Sequence, residues 1–357
     1  MANFLMPTGQ VRNNETSVSD GALVTGDTAV TDAVLERVID LGRGAVGDIA
    51  AGPGAVAVVA PGGDTLTLLD PATLEVCAEA SFDGEPTGVV VSDDLAFVSV
   101  ASINQDAVVV LDLETSAVVA TFPVASEITA MAVGPDGKRL YAGRAIDDRV
   151  EVTVIDVTAE RAGTIDIGRG PAANIDALTL DPRGRRLFVA ITDDDGSHLL
   201  SVDTETTQVR RVMPVGSPLR DVACAGDTVY ALTSDRAVGG AVHVIDLATA
   251  KVAATIVVGG APTQLSLSRD EARVYVVDYD RVHVVDTMRL QLVDGLAVSA
   301  RPSCVAHSAD GSRVFVADYS GAVHVFSVES TIGMLYAHLL ATDSLALDVP
   351  RRQAITV

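Results

Sequence analysis

The chain has 357 residues, 48% hydrophobic, 20% charged and 4% aromatic, with no tryptophan and a net charge of −23. That is enough apolar material for a large core and too much for a disordered chain, while the missing tryptophan excludes folds and nucleic-acid platforms that depend on it. The excess of acid repels phosphate backbones and anionic membrane surfaces, so neither nucleic-acid binding nor direct membrane insertion is expected.

The chain opens on Met1 to Pro7, which lacks the basic and apolar regions of an export signal, and no later stretch approaches the roughly 18 apolar residues that span a bilayer. A cytoplasmic protein is expected, touching a membrane only through a protein partner. Residues 1–33 are polar and turn-rich and are expected to form a flexible N-terminal arm. Cys77, Cys224 and Cys304 are odd in number and far apart, without metal or disulfide spacing. Lysine occurs only at Lys138 and Lys251, and this preference for arginine is that of a GC-rich genome.

From Leu68 onward an apolar, β-branched run ending in Asp recurs at Asp70, Asp112, Asp156, Asp203, Asp246 and Asp286, with Ser327 in the seventh copy. Copies lie 40 to 47 residues apart, the period of a four-stranded propeller blade. Repeats open on a Gly/Pro turn, such as Gly84-Glu85-Pro86 or Gly216-Ser217-Pro218, and a short β-branched strand. A hairpin turn follows, as in Pro135-Asp136-Gly137, where glycine supplies the positive φ that a tight turn requires. The second strand begins with arginine and an aromatic, as in Arg139-Leu140-Tyr141, Arg186-Leu187-Phe188, Arg273-Val274-Tyr275 and Arg313-Val314-Phe315. The run ending in Asp is third, and a fourth strand leads into the next Gly/Pro turn. Four strands, seven times over, predict an all-β, seven-bladed β-propeller over residues 34–328, expected to be a monomer.

This blade pattern resembles the YVTN-type surface-layer propellers and their bacterial relatives over about residues 34 to 328. It departs from them where their second strand ends in Asn: Gly143, Ala190 and Asp278 stand there instead, so no role of that Asn carries over. With its composition, the chain is also similar to the cytoplasmic seven-bladed propellers of mycobacteria. That resemblance implies an accessory protein of cell-envelope lipid export, the exported lipid being trehalose monomycolate.

A propeller ring has to close, or its first and last blades expose unpaired strand edges. Val34 to Leu41 followed by Gly42-Arg43-Gly44 copies the fourth-strand-to-turn passage Gly163 to Gly170, so residues 34–41 are expected to be the outer strand of the seventh blade. Residues 334–340 lie at the right distance after Ser327 to claim the same place. If both do, the last blade gains a fifth strand, or the C-terminal segment 329–357 packs over its edge.

The repeated Asp is expected to hold a turn, its carboxylate accepting hydrogen bonds from the amides of the hairpin into strand four. His243, His283 and His324 share one position in three successive blades, more than about 10 Å apart and so too far to share one zinc ion. Packing with a local hydrogen bond is expected there, and neither a metal nor a cofactor is implied. First strands line the channel, which places Asp48, Asp176, Asp221, Gln264 and Cys304 as water-facing lining or, alternatively, as a cation or small-ligand site. Turns from strand four to strand one and from strand two to strand three share one face. On it Arg43, Arg144, Arg169, Arg281 and Arg301, with Asp278, Tyr279, Asp318 and Tyr319, are the candidate partner-binding residues, because Arg and Tyr anchor interfaces. There is no nucleophile elbow, P-loop or HExxH motif, so no catalytic residue is assigned. A non-enzymatic protein-binding scaffold is expected, with a lactonase-like hydrolase using the channel acids as the alternative.

Overall fold

The computed structural model describes residues 33–170 and 172–328. The expected N-terminal arm, Ala33 apart, and the C-terminal segment with its candidate strand at 334–340 lie outside the described residues. Within them are 28 strands in seven antiparallel sheets of four, and one 3-10 turn at Pro61–Gly63.

Blade 1 runs from β2 (Asp48–Ala51) to β5 (Val76–Ser81), blade 2 from β6 (Glu85–Val91) to β9 (Val118–Pro123), and blade 3 from β10 (Ile128–Val133) to β13 (Arg161–Arg169). Blade 4 runs from β14 (Asn174–Leu180) to β17 (Val209–Pro214), blade 5 from β18 (Leu219–Ala225) to β21 (Lys251–Val257), and blade 6 from β22 (Gln264–Leu267) to β25 (Gln291–Leu296). Blade 7 consists of β26 (Pro302–His307), β27 (Arg313–Asp318) and β28 (Ala322–Val328), with β1 (Ala33–Asp40) as its outer strand. The β1 pairing is antiparallel, running from Ala33 opposite Val328 to Asp40 opposite Ala322. The innermost strands β2, β6, β10, β14, β18, β22 and β26 touch in that cyclic order, and β26 touches β2.

Second and third strands pack against a neighbouring blade on both faces, which is why they are buried along their whole length, as in Val56–Ala60 and Thr65–Leu69. Fourth strands alternate, because one face is solvated. A buried aromatic occupies one equivalent second-strand position in six blades, Phe97, Tyr141, Phe188, Tyr230, Tyr275 and Phe315, and Ala57 fills it in blade 1. Most of the packing that tryptophan supplies in other propellers falls here to phenylalanine and tyrosine.

The turns from strand three to strand four repeat one geometry. Asp70 Oδ1 accepts the amides of Ala72 at 2.9 Å and Thr73 at 2.7 Å, and Asp112, Asp203 and Asp246 accept those of Thr115, Thr206 and Thr249 at 2.7 to 2.8 Å. Four residues after each Asp the backbone turns left-handed at a residue with a side chain, as at Ser116 (φ 57°), Glu160 (φ 47°) and Thr207 (φ 58°). Hydrogen bonds from these threonines hold the carboxyls of Asp70, Asp112, Asp203 and Asp246 below the usual carboxylate range.

Candidate functional site

The channel side chains tie blades together. Asp48 accepts the amide of Ile49 on its own strand at 2.9 Å and that of Val89 on blade 2 at 2.9 Å. Asp221 does the same with Val222 at 2.8 Å and Leu265 of blade 6 at 2.8 Å, and Gln264 Oε1 accepts Val305 of blade 7 at 2.8 Å. Three inner strands, β6, β22 and β26, thereby donate an amide to a channel side chain of the preceding blade, where first strands present amides to the channel. Protein surrounds these carboxylates although water reaches part of them. Burial pushes Asp48 up to about 6 and Asp221 up to about 7, against the pull of the amides, and the charge of Asp48 adds to the rise of Asp221. Burial also raises the Cys304 thiol well above its usual range. Cys77, Cys224 and Cys304 are all free.

Asp176 does not make the bridge that Asp48 and Asp221 make. In the first strands of blades 2, 3, 4, 5 and 7 one residue bulges out of register, and in blade 4 that residue is Asp176, so Ala177 is the partner of Ala190, just as Asp221 partners Leu232 and Asp48 partners Val59. Asp176 is therefore one residue short of the bridging position, and its carboxylate accepts hydrogen bonds from Thr192 at 2.5 Å and Asn174 at 3.4 Å. Among the described residues no group of three or more His, Cys, Asp or Glu side chains is placed to share a metal ion. His243 is hydrogen-bonded to Thr233 at 3.1 Å and Thr255 at 3.0 Å, and His283 and His324 bond Asp278 and Asp318. On the face opposite the candidate docking loops, first hairpins surround a depression of about 420 Å³ lined by Gly52, Pro53, Asp93, Pro135 and Arg269 among others. Neither Asp48 nor Asp221 lines it.

The nine candidate docking residues separate into three groups. Arg301, Tyr279 and Tyr319 form one cluster: the Arg301 guanidinium lies 4.6 Å from the ring centre of Tyr279 and 5.1 Å from that of Tyr319. The tyrosines come from the turns between second and third strands of blades 6 and 7, and Arg301 from the turn that enters blade 7. Both rings remain open to solvent, Tyr279 at 63% and Tyr319 at 50% exposure. Cation–π contacts of this kind contribute about 0.5 to 1 kcal/mol each at exposed sites, which favours this placement of the arginine over others.

Arg43 and Arg281 are exposed on the same face but already paired, with Glu79 and Asp280. Arg169 is exposed at the end of blade 3, across the ring from the tyrosines.

Asp278, Asp318 and Arg144 are structural and correct the expectation that they face a partner. Asp278 and Asp318 are 6% and 0% exposed. Asp278 accepts the amides of Ala261 at 2.8 Å and Tyr279 at 2.7 Å, with His283 Nε2 at 3.2 Å. Asp318 accepts Ser320 N at 2.8 Å, Ala322 N at 3.1 Å and His324 Nε2 at 2.9 Å. Burial works against the Asp318 charge, and the hydrogen bond from the Ser320 hydroxyl at 2.6 Å, together with these, outweighs it and holds the carboxyl below the usual range. Arg144 is buried against Glu151, its cross-strand partner. The two aspartates aim the loops that carry Tyr279 and Tyr319, which is a supporting role that sequence spacing does not distinguish from direct contact.

A seven-bladed β-propeller protein of Mycolicibacterium smegmatis is 43% identical to this chain over 337 residues, covering 94% of it and 90% of that protein. The chain belongs to the seven-bladed β-propeller protein family. A second seven-bladed β-propeller protein, from Mycobacterium tuberculosis, is 29% identical over 294 residues, covering 71% of this chain and 74% of that one. A chain of hydrazine synthase from Kuenenia stuttgartiensis superposes with a TM-score of 0.71 at 18% identity, covering 81% of this chain and 97% of that one, and shows the fold alone. No protein-family model matches the chain. Among the described residues of this propeller, no helix is long and apolar enough to cross a membrane.

Proposed function

We propose that this propeller is a non-enzymatic docking factor that holds a protein partner on the face carrying Tyr279, Arg301 and Tyr319. The carrying observation is the exposed cluster itself: two tyrosines on adjacent blades, on loops held by buried aspartates, both contact an arginine that is itself exposed. Tyr and Arg are the side chains that most often dominate interface energetics, and a pre-ordered cluster loses little conformational freedom on binding. Mycobacterial relatives and the resemblance to cytoplasmic propellers of that group support a finer reading, in which the partner belongs to a membrane complex exporting envelope lipids such as trehalose monomycolate. The propeller then works from the cytoplasmic side, peripheral to the membrane through that partner.

Affinity purification from native membranes tests this reading, comparing the unaltered chain with Tyr279→Ala/Arg301→Glu/Tyr319→Ala and, separately, with Arg169→Glu. The triple variant is expected to release the partner at an unchanged thermal midpoint, and Arg169→Glu to retain it. Retention by the triple variant places the interface elsewhere, and recovery of soluble metabolic enzymes alone removes the envelope reading.

A hydrolase of the sugar-lactone type is the second reading, favoured by carboxyls held at about 6 and 7 in the channel. Turnover in a lactone and phosphoester screen, together with a stoichiometric divalent ion in the purified protein, would displace the docking reading.

A further inference from the structure

We propose that the stacked Arg301 is a carboxylate receptor, engaged by an acidic side chain flanked by apolar residues in a partner segment laid along blades 5, 6 and 7. This rests on the docking reading above and adds the chemistry of the partner. The guanidinium is planar, with five N–H donors in its plane. Its central carbon lies over the Tyr279 and Tyr319 rings at 4.6 and 5.1 Å, and the N–H groups that do not face a ring are left to a partner, the donors that bind a carboxylate through two parallel hydrogen bonds. Among the described residues no side-chain hydrogen bond or ion pair engages Arg301, whereas Arg43, Arg144 and Arg281 are each matched to an acid.

The surroundings favour the same ligand. Val238, Tyr279 and Tyr319, at 78%, 63% and 50% exposure, occupy the same turn of blades 5, 6 and 7, and exposed Arg236 flanks them, while Arg281 on the blade 6 turn is matched by Asp280. Blades 3 and 4 are opposite in character, with exposed Asp147, Asp148, Asp194 and Asp195 at their turns. On a molecule of net charge −23, a basic segment is drawn to those acids and gains nothing from the arc, which is where an acidic segment escapes the general repulsion. The arc crosses three blades on loop tips and is open at both ends, which suits a side chain in a segment running through more than a chain terminus.

Fluorescence anisotropy with labelled peptides, acetylated and amidated, tests the assignment. The probes are a peptide of alternating Glu and Leu, its Gln isostere, its Lys counterpart, and the Gln peptide with a free C-terminal carboxylate. Measurement at about 0.15 M salt limits charge effects to about 8 Å and isolates the arc from blades 3 and 4. The Glu peptide is expected to bind at least about tenfold tighter than the other three. Arg301→Gln should reduce it to the level of the Gln peptide, Tyr279→Leu/Tyr319→Leu should weaken it by freeing the arginine, and Arg169→Gln should leave it unchanged, all with unaltered thermal midpoints. Equal binding of the Glu and Gln peptides, preference for Lys or for the free terminus, no binding of the Glu peptide, or indifference to Arg301→Gln each overturns the assignment. If the native partner is still lost from the triple variant while the Glu peptide does not bind, the docking face stands and the carboxylate chemistry does not.

Discussion

Arg313 and Glu36, separated by 277 positions in the sequence, meet in a two-point ion pair, Nε to Oε2 at 2.8 Å and Nη2 to Oε1 at 2.7 Å. In blades 3 and 6 the equivalent Arg139 and Arg273 turn to the third-strand acids Asp156 and Asp286. Blade 7 has Ser327 at that place, and its arginine turns outward to the closing strand β1 instead. It also donates to the carbonyl of Pro71 in blade 1 at 2.6 Å, so one side chain joins the first blade, the last blade and the closing strand. Arg313→Gln is expected to destabilise the protein by about 1 to 3 kcal/mol. In a double-mutant cycle with Glu36→Gln the two losses should not add, and full additivity in denaturant titrations would argue against the clasp.

Removing β1 is a stronger version of the same test. Deleting residues 1–30 leaves the pairing of Ala33 to Asp40 with β28 intact, and deleting through Asp40 exposes the edge of β28 and strands Arg313. The longer deletion should lower the thermal midpoint and broaden the transition, measured by circular dichroism. Equal midpoints for the two truncations contradict a seam held by β1.

Relief of left-handed backbone should work the other way. Glu160 and Thr207 are exposed and sit at φ 47° and 58°, a region that costs residues with a Cβ roughly 1 to 2 kcal/mol and glycine little. Glu160→Gly and Thr207→Gly are each expected to stabilise the fold by up to about 1 kcal/mol. A clear drop in the denaturant midpoint for both would mean that the side chains contribute contacts outweighing the strain.

The seven-fold period, the strand order and the Asp-held turns were legible because each is local: hydrophobic runs, glycine turns and a carboxylate two or three residues from the amides it binds. What crossed between strands was harder to see. Arg144 looked like an exposed loop arginine, yet counting outward from the turn at Asp147-Asp148 pairs it with Glu151, a signal that register alone provides. Asp176 falls on the bulged residue, the place of Arg220 in blade 5, one step short of the bridging position, and first hairpins of different length hide that offset in the sequence. The Tyr279 and Tyr319 repeat was visible, but Arg301 precedes Tyr319 by a whole hairpin and only folding brings it against both rings.

The channel carboxyls give the ring a dependence on pH. Asp48 and Asp221 are raised from 3.8 to about 6 and about 7, so between pH 4 and 7 the folded state binds more protons than the unfolded chain. Stability should therefore fall as pH rises through this window, and the cost of burying the two charges is absent below about pH 4. Loss of general charge repulsion on acidification acts in the same direction, so the comparison that isolates the channel is with Asp48→Asn/Asp221→Asn. From pH 8 to pH 5.5 the thermal midpoint of the unaltered chain should rise by more than that of the double variant. Parallel pH profiles would show that the two carboxyls do not carry the effect.

The docking face is tested most directly by photocrosslinking from two positions that differ in face and match in exposure. Val238, 78% exposed, lies on the turn next to the tyrosines, and Met288, 80% exposed, lies on the opposite face of the neighbouring blade. With a benzophenone side chain placed at each in turn and irradiated in native membranes, position 238 should give a discrete crosslinked protein that disappears when Arg301→Glu is added, and position 288 should not give it. The same product from both positions, or one from position 238 that survives Arg301→Glu, would contradict the account.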